Sequence, residues 1–430
     1  MAPDVPDAWE GLGMTLVDVG RLDEAEQCFL NALDLDAGRV QTRCNLGFVQ
    51  YRLGRHAEAA TSLNEALARA PAYADALVNL VELLQSTGRR GEAETRVRHF
   101  LASNGADERA GLLLGRLLQE AGNGEAAEKE YRKVLGRNPD SPRARYDFGT
   151  FLLKHDRYEE GFACFESRFA AFPDRYIAFS RAFGLTPERR WKGDSLAGKR
   201  LLLWAEQGFG DALMMMRYVP LLRALGPSNI ALRCAPPLQR LMAGFAGIDV
   251  TSTGLAEAKG AWDVHCALMS LPHVLGTRFE TVPPPVRPVL PADAFARMRA
   301  LFHPSKGIRV GLAWAGSPAL QDDAARSVRF GDLVPLLDVA PATYVSLQKG
   351  VHAVDAGGEA RVDSSRIDAC DDFLDTACLI DCLDLVITID TAVAHLAGTL
   401  GKPVWMLNRA GSEWRWGLVR NDSAWYPSLR

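Results

Sequence analysis

Two short segments in the second half of the chain combine residue types that can hold an anion and manage a proton. The first is Glu206-Gln207-Gly208-Phe209-Gly210-Asp211. Gly208 and Gly210 let the backbone turn tightly and leave room for a substrate, and Asp211 closes the turn where a helix N-cap would stand. The second is Asp390-Thr391-Ala392-Val393-Ala394-His395. A helix opening there presents free backbone N–H groups and the positive end of its dipole, and Thr391 adds a hydroxyl donor. Asp390 is equally suited to capping that helix, and His395 to packing one turn in. His265, in Trp262-Asp263-Val264-His265, has an ordinary pKa fit for general-base work or is a core histidine. Residues 176–430 contain no Asp-x-Asp triplet and no ligand-spaced His/Cys cluster. Asp322-Asp323 and Asp371-Asp372 read as solvated loop charges. Cys378 and Cys382 share a helix face without a third ligand, so no metal is expected.

Strands must carry these turns. Lys199–Trp204 is a short apolar run of the kind that forms a buried parallel strand, and it leads into the Gly-rich turn and an amphipathic stretch, Ala212 to Leu225. Strand, Gly-rich turn and helix open a Rossmann-like lobe. Further strands are expected at 229–234 and 248–251. The Pro-rich segment Val282–Pro291 breaks helix and strand and reads as an interlobe linker. The pattern restarts with Gly307–Trp314, followed by Ala315-Gly316-Ser317-Pro318. Thr343–Leu347 precedes Gln348-Lys349-Gly350, and Leu383–Ile389 precedes Asp390. Pro403–Leu407 is the last strand. Two such lobes describe the GT-B architecture, with its site in the cleft between them.

The first half has an internal period of 34. Ala25, Ala59, Ala93, Ala127 and Gly161 fall on it, as do Phe29, Leu63, Val97, Tyr131 and Phe165. Gly13, Gly47, Gly115 and Gly149 share the ruler, with Val81 in the third slot, and Pro71, Pro139 and Pro173 close units. A small residue at fixed spacing marks where two helices of a hairpin approach closely. This resembles the tetratricopeptide repeat (TPR), which implies five helix–turn–helix units stacked into a curved α-solenoid. Residues 1–5 read as the tail of an absent sixth unit, so the chain is expected to be either a trimmed piece of a longer one or a shortened array. Asn45 and Asn79 occupy one repeat position on the expected concave face, followed there by Leu113 and Asp147. Spaced Asn side chains can hold an extended peptide through its backbone amides, or stand solvated.

The expected organisation is therefore a TPR solenoid over 1–175, a connector over 176–198, and an acceptor-side Rossmann-like lobe over 199–281. A linker over 282–306 and a nucleotide-sugar lobe over 307–430 complete it. Residues 191–430 resemble the glycosyltransferase domain found behind TPR arrays in bacteria. They are similar to the heptosyltransferase-like family (glycosyltransferase family 9) and more distantly to O-GlcNAc transferase. The matching motifs are Glu206–Asp211, Arg326-Ser327, Ser346-Leu347-Gln348, Asp390–His395 and Trp414-Arg415-Trp416.

The resemblance implies a metal-independent transfer, with inversion favoured and no cofactor, from a nucleotide-sugar donor to Ser or Thr of a protein held by the repeats. Flagellin is an acceptor of related enzymes. The resemblance makes Asp211 the general base and puts Gln207, Gly208 and Gly210 in the acceptor loop; His265 is the second candidate for the base on its own chemistry. Gly316, Ser317, Arg326, Gln348, Lys349, Asp390, Thr391, Ala392, His395 and Arg415 become donor-binding, with Arg326, Lys349 and Arg415 as cations for the leaving group. Lys349 departs from the O-GlcNAc transferase spacing, because here Gln and Lys are adjacent. This chain also lacks that enzyme's His-rich acceptor motif. Two other readings are a lipid-linked glycan acceptor and a non-catalytic TPR scaffold with a degenerate domain pair.

Composition narrows the field. The chain has 430 residues and 47.0 kDa, enough for two or three domains, and its 48% apolar and 24% charged residues suit a folded protein. Lys plus Arg is 49 against 53 acidic residues, which argues against a broad hold on nucleic acid. The longest stretch without Asp, Glu, Lys or Arg is 14 residues, Val264 to Thr277, too short to span a bilayer. The N-terminus has no basic and apolar leader pattern. Eight scattered Cys read as reduced core thiols, and a cytoplasmic location is expected.

Overall fold

The computed structural model describes residues 4–174, 176, 185–251, 262–302, 307–318, 323–356, 359–409, 411–418 and 420–430. The chain forms two compact units, Met1–Phe148 and Gly149–Arg430. The first is built from helical hairpins: α1 (Pro6–Asp18) with α2 (Leu22–Leu35), and α3 (Val40–Arg52) with α4 (His56–Arg69). Next come α5 (Ala74–Ser86) with α6 (Arg90–Ser103), and α7 (Glu108–Glu120) with α8 (Gly124–Arg137). The boundary between the units falls inside α9 (Pro142–Lys154), so α10 (Tyr158–Phe165) belongs to the second.

The period has a steric cause. A side-chain carbon at Gly13 would lie 2.6 Å from the Phe29 ring, at Gly47 2.7 Å from Leu63, and at Gly115 2.9 Å from Tyr131. The glycine slot on one helix thus receives the large residue of its partner, and any larger residue there would push the hairpin apart. The hairpin turns use a second glycine slot. Gly20, Gly54, Gly88 and Gly122 all adopt φ between +76° and +80°, and the fifth turn holds Asp156 at φ +60° in the same place. A left-handed conformation costs an L-residue about 1–2 kcal/mol, somewhat less for Asp. Asp156 is exposed, and its ion pair with Arg420 is long at 3.7 Å. Asp156→Gly is therefore expected to stabilise the protein by a few tenths to about 1 kcal/mol. Urea unfolding checks this; a lower midpoint would mean that the Arg420 contact outweighs the backbone term.

The second unit contains two parallel sheets. In the first, β1 (Arg200–Trp204), β2 (Asn229–Arg233), β3 (Asp249–Thr251) and β4 (Val264–Ala267) lie in the order β3-β2-β1-β4. In the second, β5 (Ile308–Ala313), β6 (Ala342–Ser346), β7 (Val362–Asp363), β8 (Leu385–Ile389) and β9 (Val404–Leu407) lie in the order β7-β6-β5-β8-β9. Four of the five residues of β1 are buried and four of the six of β5, as expected for strands covered on both faces. The later region is thus an α/β unit of two parallel sheets with helices.

Some expectations need correction. The single helix expected from Ala212 to Leu225 is three pieces: α11 (Phe209–Met215), a 3-10 turn at Met216–Tyr218, and α12 (Val219–Ala224). Pro220 has no N–H to continue the ladder, so the helix restarts at it. Strands β4 and β7 are not among the expected ones, and part of the stretch expected as linker is a helix, α13 (Ala292–Ala300). Two further helices matter below, α14 (Phe373–Asp381) and α15 (Ala392–Thr399). The segment after β9 folds back so that the backbones of Val404 and Arg430 pair. All eight cysteines are free thiols, and seven are buried.

The last repeat helix is part of the α/β core. Tyr158 stacks on Trp425 with ring centres 5.7 Å apart, and the Trp425 indole donates to its hydroxyl at 3.1 Å. Phe162 meets Trp414 edge-on at 5.5 Å. Arg168, just beyond α10, is fully buried. It pairs with Glu166 at 2.5 Å and Glu206 at 3.0 Å, donates to Ser270 Oγ at 2.7 Å, and lies over the Phe169 ring.

Candidate functional site

In each sheet the connections change direction beside the first strand, between β1 and β4 and between β5 and β8. Ligands of open parallel sheets bind outside the carboxyl ends of strands at such points. The Gly-rich turn follows β1, and Asp390-Thr391 follows β8. The helix N-cap after β1 is Gly208, and Asp211 sits inside the first turn of α11, so it is not the cap. Its carboxylate instead accepts from Arg415, Nε at 2.7 Å and Nη2 at 2.5 Å. The two side chains are only 14% and 11% exposed. Arg415 follows β9, rests over the Trp414 ring at 4.5 Å, and has Gln207 Oε1 at 3.5 Å and Glu413 at 3.7 Å. Burial works against its charge, and Asp211, Glu413 and Asp390 together outweigh that, raising its pKa above the ordinary arginine value.

The cap of α15 is Thr391, whose hydroxyl accepts from Val393 N at 3.3 Å, so Asp390 is not that helix's cap. Ala392 is the first residue of α15. Burial pushes the Asp390 carboxyl above its usual range, against the pull of Arg415. The Asp390 carbonyl accepts from Arg326 Nη1 at 3.3 Å. One turn into α15, His395 is 4% exposed and bonded through Nδ1 to the Tyr426 hydroxyl at 3.0 Å. Burial, with Arg415 and Arg217 adding to it, holds its pKa well below the ordinary value, so the ring is neutral at pH 7. A side-chain carbon at Gly210 would stand 2.3 Å from His395 Cδ2. Gly210 is what lets α11 sit on α15, and this contact brings the turn after β1 against the turn after β8.

The other expected donor residues lie on the segments that follow β5 and β6. Gly316 N donates to Ser327 Oγ at 3.0 Å, and Arg326 Nε to Asp323 at 3.1 Å. Ser317 is exposed. The Gln348 carbonyl oxygen accepts from Trp314 N at 3.1 Å and Ala315 N at 2.9 Å, and its amide nitrogen donates to the Lys349 carbonyl. Gln348 thus supports the loop after β5 from beneath. Lys349 is exposed and its Nζ donates to the Cys370 carbonyl.

His265 lies on β4 and is 3% exposed. Its Nε2 bonds the Thr186 carbonyl at 2.9 Å and its Nδ1 accepts from the Trp204 indole at 3.3 Å. Burial lowers its pKa. With both ring nitrogens engaged, it stands as a wall residue between the first sheet and the segment before it. In the repeats, Asn45 and Asn79 are half-buried on α3 and α5. Asn79 donates to Cys44 Sγ at 3.3 Å, whereas the buried Asn45 amide nitrogen has no partner among the described residues. The equivalent Leu113 is 5% exposed, and Asp147 is held by Arg143, so the Asn pair extends no further.

Sequence reasoning missed Arg168, Ser270, Arg217 and Tyr426. Arg168 holds Glu206 from behind, and Ser270 joins Arg168 to Glu166. Arg217 is 2% exposed, donates to the Met214 and Pro283 carbonyls, and faces the Tyr426 ring at 5.0 Å. Their one common signal is a polar residue beside aromatic or apolar neighbours, which many surface positions share. Among the described residues no group of three or more His, Cys, Asp or Glu is placed to hold a metal ion, and no helix is long and apolar enough to cross a membrane.

"Protein FlbA" of Caulobacter vibrioides (strain ATCC 19089 / CIP 103742 / CB 15) is 29% identical over 315 residues, covering 65% of this chain and 50% of that protein. The chain thus spans about half the length of this curated relative. A thermophilic TPR protein of Thermus thermophilus superposes with a TM-score of 0.35 at 21% identity, covering 41% of this chain and 96% of its own. A tetratricopeptide repeat protein from Parabacteroides merdae ATCC 43184 gives 0.32 at 25% identity, covering 41% of this chain and 71% of its own. Tetratricopeptide repeat models match residues 4–72, 50–117 and 112–173, so the N-terminal region is an array of these repeats.

Proposed function

We propose that residues 149–430 form a GT-B glycosyltransferase acting, without a metal and in the cytoplasm, on a protein captured by the repeats. The sugar passes from a nucleotide-sugar donor to a Ser or Thr hydroxyl. The observation that carries this reading is the meeting of the β1 and β8 turns, each at the reversal point of its sheet. Between them stand a carboxylate, a guanidinium and a helix N-terminus. Asp211 takes the hydroxyl proton, the freed oxygen bonds the anomeric carbon, and the carbon–phosphate oxygen bond breaks with inversion. Arg415, Arg326 and the N–H groups at the start of α15 carry the charge of the departing phosphate. Asn45 and Asn79 hold the backbone of the acceptor protein.

One feature favours a binding-only role instead: Arg326, Lys349 and Arg415 each have a protein partner in this structure. A thermal-shift panel of UDP-, ADP-, GDP-, TDP- and CMP-sugars separates the two. One donor class is expected to raise the melting temperature by several degrees, and Asp390→Ala to remove most of that shift. Silence across the panel would leave the scaffold reading.

A further inference from the structure

The Asp211–Arg415 pair raises a problem that the glycosyl-transfer reading, on which this inference rests, has to meet. One oxygen of the Asp211 carboxylate, Oδ1, is held at 2.5–2.7 Å by the guanidinium, with both side chains mostly buried. While the pair is closed, Oδ1 is engaged by two donors and is not open to a hydroxyl proton. Arginine's fork is planar, and the Nε and Nη2 edge that faces Asp211 is the edge that grips a phosphate in bidentate fashion. Asp211 and a phosphate therefore compete for the same donors.

The surroundings make this an exchange rather than an addition. Arg415 already has the Asp211 carboxylate at 2.5 Å and that of Glu413 at 3.7 Å. An arriving phosphate would find excess negative charge unless one carboxylate withdrew. Asp211 is the one that can. It sits on the seven-residue α11, which enters from the first sheet, whereas Asp390 and Glu413 belong to the same sheet's connections as Arg415. The Trp414 ring beneath the guanidinium keeps the fork in place while its partner changes.

We propose that Arg415 is an anion-exchange position: a donor phosphate displaces Asp211 from the guanidinium, and the base is released only once the donor is bound. Donor then precedes acceptor, and an empty site holds its carboxylate masked.

The test is binding of inorganic pyrophosphate to the full chain, by calorimetry in metal-free buffer near pH 7.5. The variants are Asp211→Asn, Arg415→Lys, Arg415→Ala and the double variant Asp211→Asn/Arg415→Ala, each checked for a normal melting transition. Removing the competing carboxylate is expected to tighten pyrophosphate about 10-fold. Arg415→Ala is expected to abolish binding, and Arg415→Lys, which keeps the charge without the fork, to lose most of it. The double variant should bind no better than Arg415→Ala. Unchanged or weaker binding by Asp211→Asn, binding that survives loss of Arg415, or no binding by any variant overturns the proposal. If the nucleotide-sugar panel gives a shift while pyrophosphate is indifferent to Asp211→Asn, the exchange fails and the transfer reading stands. A silent panel with the exchange intact sinks the transfer reading alone.

Discussion

If Asp211 is the general base of the proposed transferase, Asp211→Asn is expected to lower sugar transfer by about 10² to 10⁴, the usual cost of losing such a base. The fold should persist, because α11 is capped by Gly208 and the variant keeps an oxygen that Arg415 can bind. Arg415 also retains Glu413 at 3.7 Å, so no buried charge is left alone. In the proposed reading, capture of the acceptor protein falls to the repeats and should be unaffected. Single-turnover transfer with the donor found in the thermal-shift panel, run beside a pull-down of the acceptor, measures both. Transfer within a few-fold of wild type would reduce Asp211 to a tether for Arg415. The base would then be sought at Asp390, whose proton affinity burial raises, before His265. Reaching His265 would mean breaking its bonds to Thr186 and Trp204 in a site that lowers its pKa.

The features legible in the sequence are those with a local cause. A 34-residue ruler survives because Gly13 must admit Phe29 and Gly47 must admit Leu63, and each hairpin repeats that demand. Strands such as Leu385–Ile389 announce themselves because covering both faces requires an unbroken apolar run. The short strand Val264–Ala267 hides, since its His265 is satisfied by Thr186 and Trp204, neighbours that only the fold supplies. The site divides the same way. Its turns could be read from glycines and strand ends, whereas the Asp211–Arg415 contact joins residues 204 apart and has no local signature. Gln348 shows the remaining difficulty. Its motif marks the loop after β6, but only the folded chain reveals that its amide supports the Trp314 and Ala315 backbone.

The boundary between repeats and α/β unit makes the second large prediction. Periodicity places it at residues 175–176, whereas the compact unit begins at Gly149. A fragment of residues 142–430 is expected to unfold cooperatively, and one of residues 176–430 to lack a cooperative transition. Cutting at 176 removes Tyr158 and Phe162 from Trp425 and Trp414, and large aromatic deletions from a core cost about 3–5 kcal/mol each. It also removes Arg168 from Glu206, whose side chain is 2% exposed and whose pKa burial already raises. Breaking a buried pair by deleting one partner costs about 3–5 kcal/mol. Together these losses rival the roughly 5–15 kcal/mol that typically holds a whole domain. The charge part can be isolated in the full chain. Arg168→Met should cost about 3–5 kcal/mol by denaturant unfolding, and adding Glu206→Gln should recover much of it. The amide removes the unpaired charge while keeping an acceptor for Met269 N. A cooperative 176–430 fragment, or an Arg168→Met variant as stable as wild type, would show that the last repeat helix merely abuts the sheet. A double variant no better than Arg168→Met would instead assign the loss to packing against Phe165 and Phe169, where the guanidinium lies 5.0 and 4.1 Å from the ring centres.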